Sequence, residues 1–188
     1  MSWTVRSLEP ATWPLFAELV ERNNGVYGGC WCIGWHLERA KQGGDYRAMK
    51  EEGVRTGRAH AALVLDPAGV AQGWCQYGPP DELPGIKFRR EYLNDAPPVP
   101  DWRIACVFVD RRSRGRGVAR AGVEGALERI AQAGGGLVEV ISETTADREA
   151  QGRFLFSGTA ELFEDLGFTR VRQVGKHAWI LGRTVEPA

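Results

Sequence analysis

The sequence has almost no charge bias: 24 lysines and arginines stand against 24 aspartates and glutamates. With no overall field, the chain has no general pull on nucleic acid or on an anionic membrane, so any anion site has to be local. It also lacks an apolar run near the ~20 residues that span a bilayer. The opening Met1-Ser2-Trp3-Thr4-Val5-Arg6 does not have the basic-then-apolar order of a secretory signal. Cytoplasmic residence, with neither nucleic acid nor membrane as partner, is therefore the expectation. Cysteines are scarce. Cys30, Cys32, Cys75 and Cys106 are too few and too unevenly spaced for a disulfide framework, and in a reducing compartment they are free thiols. There is no internal repeat and no low-complexity tract, and 188 residues predict one compact domain over 1–188.

Tryptophan, by contrast, is abundant, with seven copies. Three of them, Trp31, Trp35 and Trp74, lie beside cysteines or within the Cys30-Trp31-Cys32-Ile33-Gly34-Trp35-His36 segment. Alternation over Trp3–Arg6 reads as a short strand. Trp13, Phe16, Leu19 and Val20 mark a helix with Thr12 as N-cap and Pro14 in its first turn. Val26 to Ala40 reads as a second helical segment broken by Gly43-Gly44, and Asp45 caps a third through about Val54. These elements make up an N-terminal part, 1–57. The remainder, 58–188, changes character. His60–Leu65 and Val70–Tyr77 are the arms of a hairpin turning at Asp66-Pro67-Ala68-Gly69. Gly78–Pro100 is a proline-rich excursion long enough to be a lid or binding loop.

Trp102–Val109 is a strongly apolar strand, Gly115–Ala133 a helix, and Leu137–Ile141 another strand. A short helix over Thr159–Leu166 is stopped by Gly167. A final hairpin pairs Phe168–Val174 with His177–Leu181 across Gly175-Lys176. The pattern is that of a mixed α/β fold.

The stretch that carries chemistry is Val107-Phe108-Val109-Asp110-Arg111-Arg112-Ser113-Arg114-Gly115-Arg116-Gly117-Val118-Ala119. A buried strand runs into a turn that opens a helix. Gly115 and Gly117 remove Cβ atoms where backbone N–H groups must come close to a ligand. The helix N-terminus adds orphan donors and a partial positive charge, which together with Arg114 and Arg116 suit a diphosphate. No Gly-Lys-Ser/Thr follows, so this is not a Walker loop. Nor does it fit the dinucleotide fingerprint, which follows the first strand of a βαβ unit with an acid ~20 residues on.

Arg114-x-x-Gly117-x-Ala119 resembles the Arg/Gln-x-x-Gly-x-Gly/Ala signature of the GNAT N-acetyltransferase superfamily. Leu162-Phe163-Glu164-Asp165-Leu166-Gly167-Phe168 is similar to the Leu-Tyr-Glu-x-x-Gly-Phe block that follows in that family. The order of elements from His60 to Leu181 is similar too. The resemblance implies a mixed, mostly antiparallel sheet whose central strands splay apart to admit the pantetheine arm of acetyl-CoA, the co-substrate. The backbone of Val107, Phe108 and Val109 would bind the pantetheine amides. The amides of Arg114, Gly115, Arg116, Gly117, Val118 and Ala119 would hold the pyrophosphate, and Phe163 would pack on the donor. Dimers are common in the family, so a homodimer is expected by analogy alone.

Acetyl transfer to an amine needs an unprotonated nitrogen, an oxyanion stabiliser and a proton for the departing thiolate. Relatives supply that proton from the tyrosine of the Leu-Tyr-Glu block, which is Phe163 here. Others place a glutamate base on the strand near Arg103. Glu143 is the remaining candidate base, with Ser142 and Ser157 as candidate hydroxyl donors near the thioester. Tyr92 and Tyr77 qualify as acids only if the long loop folds over the site. The acceptor pocket is expected from Trp31, Cys32, Trp35, Trp74 and Tyr77. A similar Cys-Trp-Cys stretch occurs in a little-characterised bacterial branch of the family. A zinc site is the competing reading of Cys30, Cys32 and His36, but it is short in ligand number and spacing, and no metal is expected. The overall expectation is direct acetyl transfer to the amine of a small molecule or peptide. The alternatives are a CoA-binding sensor with little transfer activity, and a thiol or metal redox protein using Cys30 and Cys32.

Overall fold

The computed structural model describes residues 2–36, 44–146 and 155–188. Its strands are β1 (Thr4–Ser7), β2 (Ala61–Leu65), β3 (Ala71–Gly78), β4 (Trp102–Val109), β5 (Gly136–Glu143), β6 (Thr169–Gln173) and β7 (Ala178–Val185). Its helices are α1 (Trp13–Glu21), α2 (Tyr46–Arg55), α3 (Arg89–Asn94), α4 (Val118–Gln132) and α5 (Ala160–Asp165), with one 3₁₀ turn at Arg111–Ser113. The seven strands form one sheet in the order β1-β2-β3-β4-β5-β7-β6. Every pairing is antiparallel except β4 with β5.

The alternation of strand side chains divides the interior between the two faces of the sheet. On β3 and β4, Trp74, Cys106 and Phe108 point to the α1 face, where they meet Phe16, Leu19 and Val20. Cys75 and Val107 point the other way, into the layer beneath α4 and α5 with Val123, Ala126, Ile130 and Phe163. Trp74 lies between Phe16, at 4.9 Å, and Phe108, stacked at 4.5 Å. Such fully buried side chains each contribute about 1.5–3 kcal/mol from removal of apolar surface.

The central feature is a parting of β4 from β5. The two strands are paired only from Trp102 opposite Val138 to Ile104 opposite Val140. Beyond that, β4 continues to Val109 and β5 to Glu143 without pairing. The divergence starts at a bulge: on β3, Gln76 faces Cys106 but Tyr77 faces Ile104, leaving Ala105 as an extra residue on β4. A bulge bends its strand and re-aims its side chains.

Asp45 caps α2, accepting from the Ala48 amide at 3.0 Å. Thr12 precedes α1 but caps differently from expectation: its hydroxyl donates to the Ser7 carbonyl at 2.7 Å and accepts from the Glu9 amide. The helix expected over Val26–Ala40 is not formed in its described part, to His36; residues 37–43 lie outside the described residues. Asn24, Val26, Tyr27, Trp31 and Cys32 all take positive φ, which ends an α-helix at each occurrence. The apolar spacing there serves a folded chain of turns that buries Val26, Cys32, Ile33 and His36. Within the Gly78–Pro100 excursion, α3 folds back so that Tyr92 is buried. The last hairpin closes one residue wider than expected, with the Val174 amide donating to Ala178 across Gly175–His177. No helix among the described residues is long and apolar enough to cross a membrane.

Candidate active site

The anion cradle is built at the end of β4. Asp110 accepts from the Arg112 amide and from Arg22 Nε, both at 2.9 Å, and from Asn23 Nδ2 at 3.3 Å. Burial pushes its carboxyl up, but these donors outweigh it and hold the group below the usual aspartate range. Ser113 donates to Gln72 on β3 at 2.8 Å, and Trp3 Nε1 donates to the Arg116 carbonyl at 2.9 Å. The loop is thus tied from three sides. Gly115 and Gly117 have φ of 71° and 81°, a backbone shape that L side chains resist. The helix begins immediately afterwards, and its first bond from the Ala121 amide reaches the Gly117 carbonyl. The amides of Val118, Ala119 and Arg120 therefore open the helix without intrahelical acceptors. Arg111, Arg112, Arg114 and Arg116 have no carboxylate partner among the described residues. Unspent backbone donors and four unpaired guanidiniums fit a diphosphate.

From this cradle a line of cavities leads to the gap between β4 and β5. The first, about 480 Å³, is lined by Asn23, Tyr27, Phe108, Arg112 and Arg114 among others. The second, about 180 Å³, shares Val26 and Tyr27 with it and is walled by Cys30, Cys32, Trp35, Trp74, Cys106 and Phe156. The third, about 30 Å³, shares Trp35 and Phe156 and opens at the bulge beside Ala105, Ile141, Lys87, Arg103 and Glu139.

The residues expected at the site are brought together only in part. Phe108 lines the first cavity, and Cys32, Trp35 and Trp74 wall the second. Trp31 turns away to stack on Trp13 at 6.1 Å, with Arg47 over its face at 5.6 Å. Tyr77 lies on the opposite face of the sheet, against His60 and Trp102. Phe163 lines none of the three cavities. It is fully buried beneath α4, edge-on to Phe168 at 5.1 Å. The Val107 amide already donates to the Phe156 carbonyl at 2.7 Å, so the turn segment 155–158 on the far side of the gap takes the place expected for a ligand amide. Val109 is half-buried where β4 ends.

The candidate acid–base groups also have partners. Ser142 Oγ donates to the Ser157 carbonyl at 2.9 Å, and Ser157 Oγ to the Ile141 carbonyl at 2.7 Å, so both hydroxyls stitch the 155–158 segment to β5. Glu143 accepts from Lys87 Nζ at 2.8 Å. The long loop does fold over: Tyr92 donates to Glu139 at 2.9 Å. Glu139 faces Arg103 in the strand register, with 3.4 Å between guanidinium and carboxylate. A carboxylate is thus present beside Arg103 after all, contributed by the neighbouring strand. Burial raises its pKa, although Tyr92 and Arg103 oppose the shift.

A buried polar cluster behind the second cavity has no clear signal in the sequence. Lys50 is completely buried, its Nζ 3.0 Å from His36 Nε2 and 3.4 Å from the Cys32 carbonyl. Gln76 Nε2 also donates to the Cys32 carbonyl and to His36 Nε2. With two donors converging on Nε2, His36 is an acceptor there and neutral. Burial and the Lys50 charge push its pKa down to about 2. Cys32 Sγ donates to Gln76 Oε1 at 2.9 Å and accepts from Trp74 Nε1 at 3.2 Å. Among the described residues no group of three or more His, Cys, Asp or Glu side chains is arranged to hold a metal ion.

Residues 33–168 match the model of the acetyltransferase (GNAT) family. A histone acetyltransferase HPA2-related structure from Corynebacterium glutamicum superposes with a TM-score of 0.56 at 19% identity, over 100% of this chain and 98% of that one. A phosphinothricin acetyltransferase from Sinorhizobium meliloti, solved with acetyl-CoA, gives 0.55 at 14% identity over 99% and 90%. The PaiA N-acetyltransferase from Thermoplasma acidophilum, solved with coenzyme A, gives 0.54 at 10% identity over 98% and 99%. At these identities the likeness is one of fold. No curated protein matches the chain. With the family model covering most of its length, the chain belongs to the GNAT acetyltransferase family.

Proposed function

We propose that the chain transfers an acetyl group from acetyl-CoA directly to the amine of a small molecule or peptide. The observation that carries this reading is the run of shared wall residues from the arginine loop at Arg111, Arg112 and Arg114, through Val26 and Tyr27, to Trp35 and Phe156 at the β4–β5 gap. In this reading the amides from Arg114 to Ala119 neutralise the pyrophosphate, helped by the positive end of α4. Phe108 and Tyr27 flank the path from the cradle inward. The second cavity, walled by aromatic rings and thiols, excludes water from the reacting carbonyl. In such a dry site fixed dipoles act more strongly than in water.

The acceptor nitrogen must be neutral when it attacks. Glu143 is the sequence candidate for the base, but its carboxylate is held by Lys87 Nζ at 2.8 Å. Glu139 beside the third cavity is the better placed alternative, because burial raises its pKa toward the range useful for proton transfer. The test is CoA thiol release from acetyl-CoA across a library of primary amines. Release on at least one amine, lowered at least tenfold by Glu139→Gln, is the expected outcome. Tight binding of acetyl-CoA with no release on any amine would instead make the chain a CoA-binding module.

A further inference from the structure

Phe163 cannot donate a proton, and it lies in the core rather than at a cavity wall. The departing coenzyme sulfur still needs a proton, and the second cavity has a group placed to give one. We propose that Cys32 is the general acid of the transfer, its thiol protonating the coenzyme sulfur as the carbon–sulfur bond breaks. This rests on the acetyl-CoA reading above.

Cys32 lies at the cavity wall beside Cys106, on the stretch of β4 that β5 has left. Its proton is present at rest, since Sγ donates to Gln76 Oε1. The surroundings are also those of an anion. Trp74 Nε1 points at the sulfur from 3.2 Å, and the Cys106 thiol shares the same cavity wall. The buried Lys50 stands behind with no carboxylate partner among the described residues; burial lowers its own pKa, the facing Cys32 and Glu82 oppose that shift, and the neutral His36 adds no competing charge. Burial alone would raise the thiol's pKa. The Cys106 hydrogen bond, the Lys50 charge and the Trp74 N–H together outweigh it and bring the thiol below its ordinary value.

The other titratable groups facing this cavity suit the task less well. Burial pushes Tyr27 up to about 12, and burial likewise raises Cys30. Cys106 is held well above the ordinary thiol range, first by its hydrogen bond to Cys32 and then by burial. A general acid serves best when its pKa lies near the working pH, and of these groups only Cys32 is moved downward from the ordinary thiol value toward it.

In the reaction, the amine lone pair attacks the thioester carbon, and the carbonyl π pair moves to oxygen. The nitrogen loses one proton to a base or water. As the tetrahedral species collapses, the carbon–sulfur bond breaks, its electron pair stays on the coenzyme sulfur, and that sulfur takes the Cys32 proton. The Cys32 thiolate, held by Trp74, Cys106 and Lys50, regains a proton from water. The net change is one carbon–nitrogen bond for one carbon–sulfur bond, with one proton moved from nitrogen to sulfur.

The test compares wild type with Cys32→Ala and Cys32→Ser, using acetyl-CoA and the best amine of the library. Thermal melts check folding, and calorimetry measures the Kd of CoA. Cys32→Ala should lower kcat about 100-fold or more, with the Kd of CoA within threefold. The alkaline descent of kcat should vanish in that variant and should move to higher pH in Lys50→Met. Independently of any amine, bound CoA should slow alkylation of Cys32 by iodoacetamide at least tenfold, read by peptide mass. A kcat within threefold of wild type, an unchanged alkaline limb, or no protection by CoA would each overturn the proposal while leaving donor binding intact. A wild-type chain that binds no CoA, or releases none on any amine, would overturn both readings.

Discussion

Phe163 shows how much a residue's meaning depends on its surroundings. In sequence it occupies a family position associated with the donor. In the fold it is completely buried among Val107, Val140 and Phe168. Phe163→Ala should therefore cost about 3–5 kcal/mol in stability by denaturant titration, as core phenylalanine truncations do. A loss confined to donor affinity, with the stability unchanged, would place the ring at the ligand instead. His36 gives a second prediction. Its pKa falls from the ordinary 6.5 to about 2 on folding, so the unfolded chain binds a proton there that the folded chain does not. Its contribution is fully present above pH 6.5 and is lost as pH falls below it, at about 1.4 kcal/mol per pH unit at most. Denaturation between pH 7.5 and 4.5 should show a steeper loss for wild type than for His36→Gln; equal slopes would mean His36 is charged in the fold. The sequence offers His36 only as a zinc ligand with Cys30 and Cys32, whereas in the fold its Nε2 is an acceptor in the core. Lys50 carries no local mark in the sequence, and the turns that bring Cys32 and His36 over it enclose it only in the fold.

At the scale of elements, the strand–loop–helix unit from β4 to α4 was readable from its glycines, its arginines and the apolar strand before them. The tie of Asp110 to Arg22 and Asn23 was not, because it joins residues far apart in the chain. Gly73 is a third contributor that spacing does not reveal. A Cβ there would come within 2.5 Å of the Phe108 carbonyl and 2.7 Å of Val118 Cγ1. Gly73→Ala should destabilise the chain by about 1–3 kcal/mol, the range for overpacking, and should weaken CoA binding by displacing the start of α4. Full stability in that variant would show that β3 and α4 have room to separate. The segment after α1 was misread for a physical reason. Its apolar spacing suits a helix, but spacing records which residues are buried, and successive turns with positive φ bury Val26, Cys32 and Ile33 equally well.

For the molecule as a whole, the order of the strands and of α1, α2, α4 and α5 was legible because each carried its own period and its own stop signal, whereas α3 lay hidden in the Gly78–Pro100 excursion. The parting of β4 from β5 was expected only through resemblance, and the bulge at Ala105 was not expected at all, since neither leaves a local pattern. The line of cavities is a product of that parting. It joins the cradle of α4, the turns after α1 and the folded-back loop around α3, three parts of the chain with no sequence proximity. The central claim is that this line begins in a seat for the coenzyme pyrophosphate. Gly117→Glu tests it most directly when set beside Gly117→Ala, which carries the same backbone strain at φ 81° with only Trp3 Nε1 near its Cβ, at 3.9 Å, so that the carboxylate entering the cradle is what distinguishes the two. Calorimetric titration with CoA should show binding to wild type and to Gly117→Ala, and none to a folded Gly117→Glu variant. Equal affinity in all three proteins would show that the Arg114–Ala119 loop is only a turn.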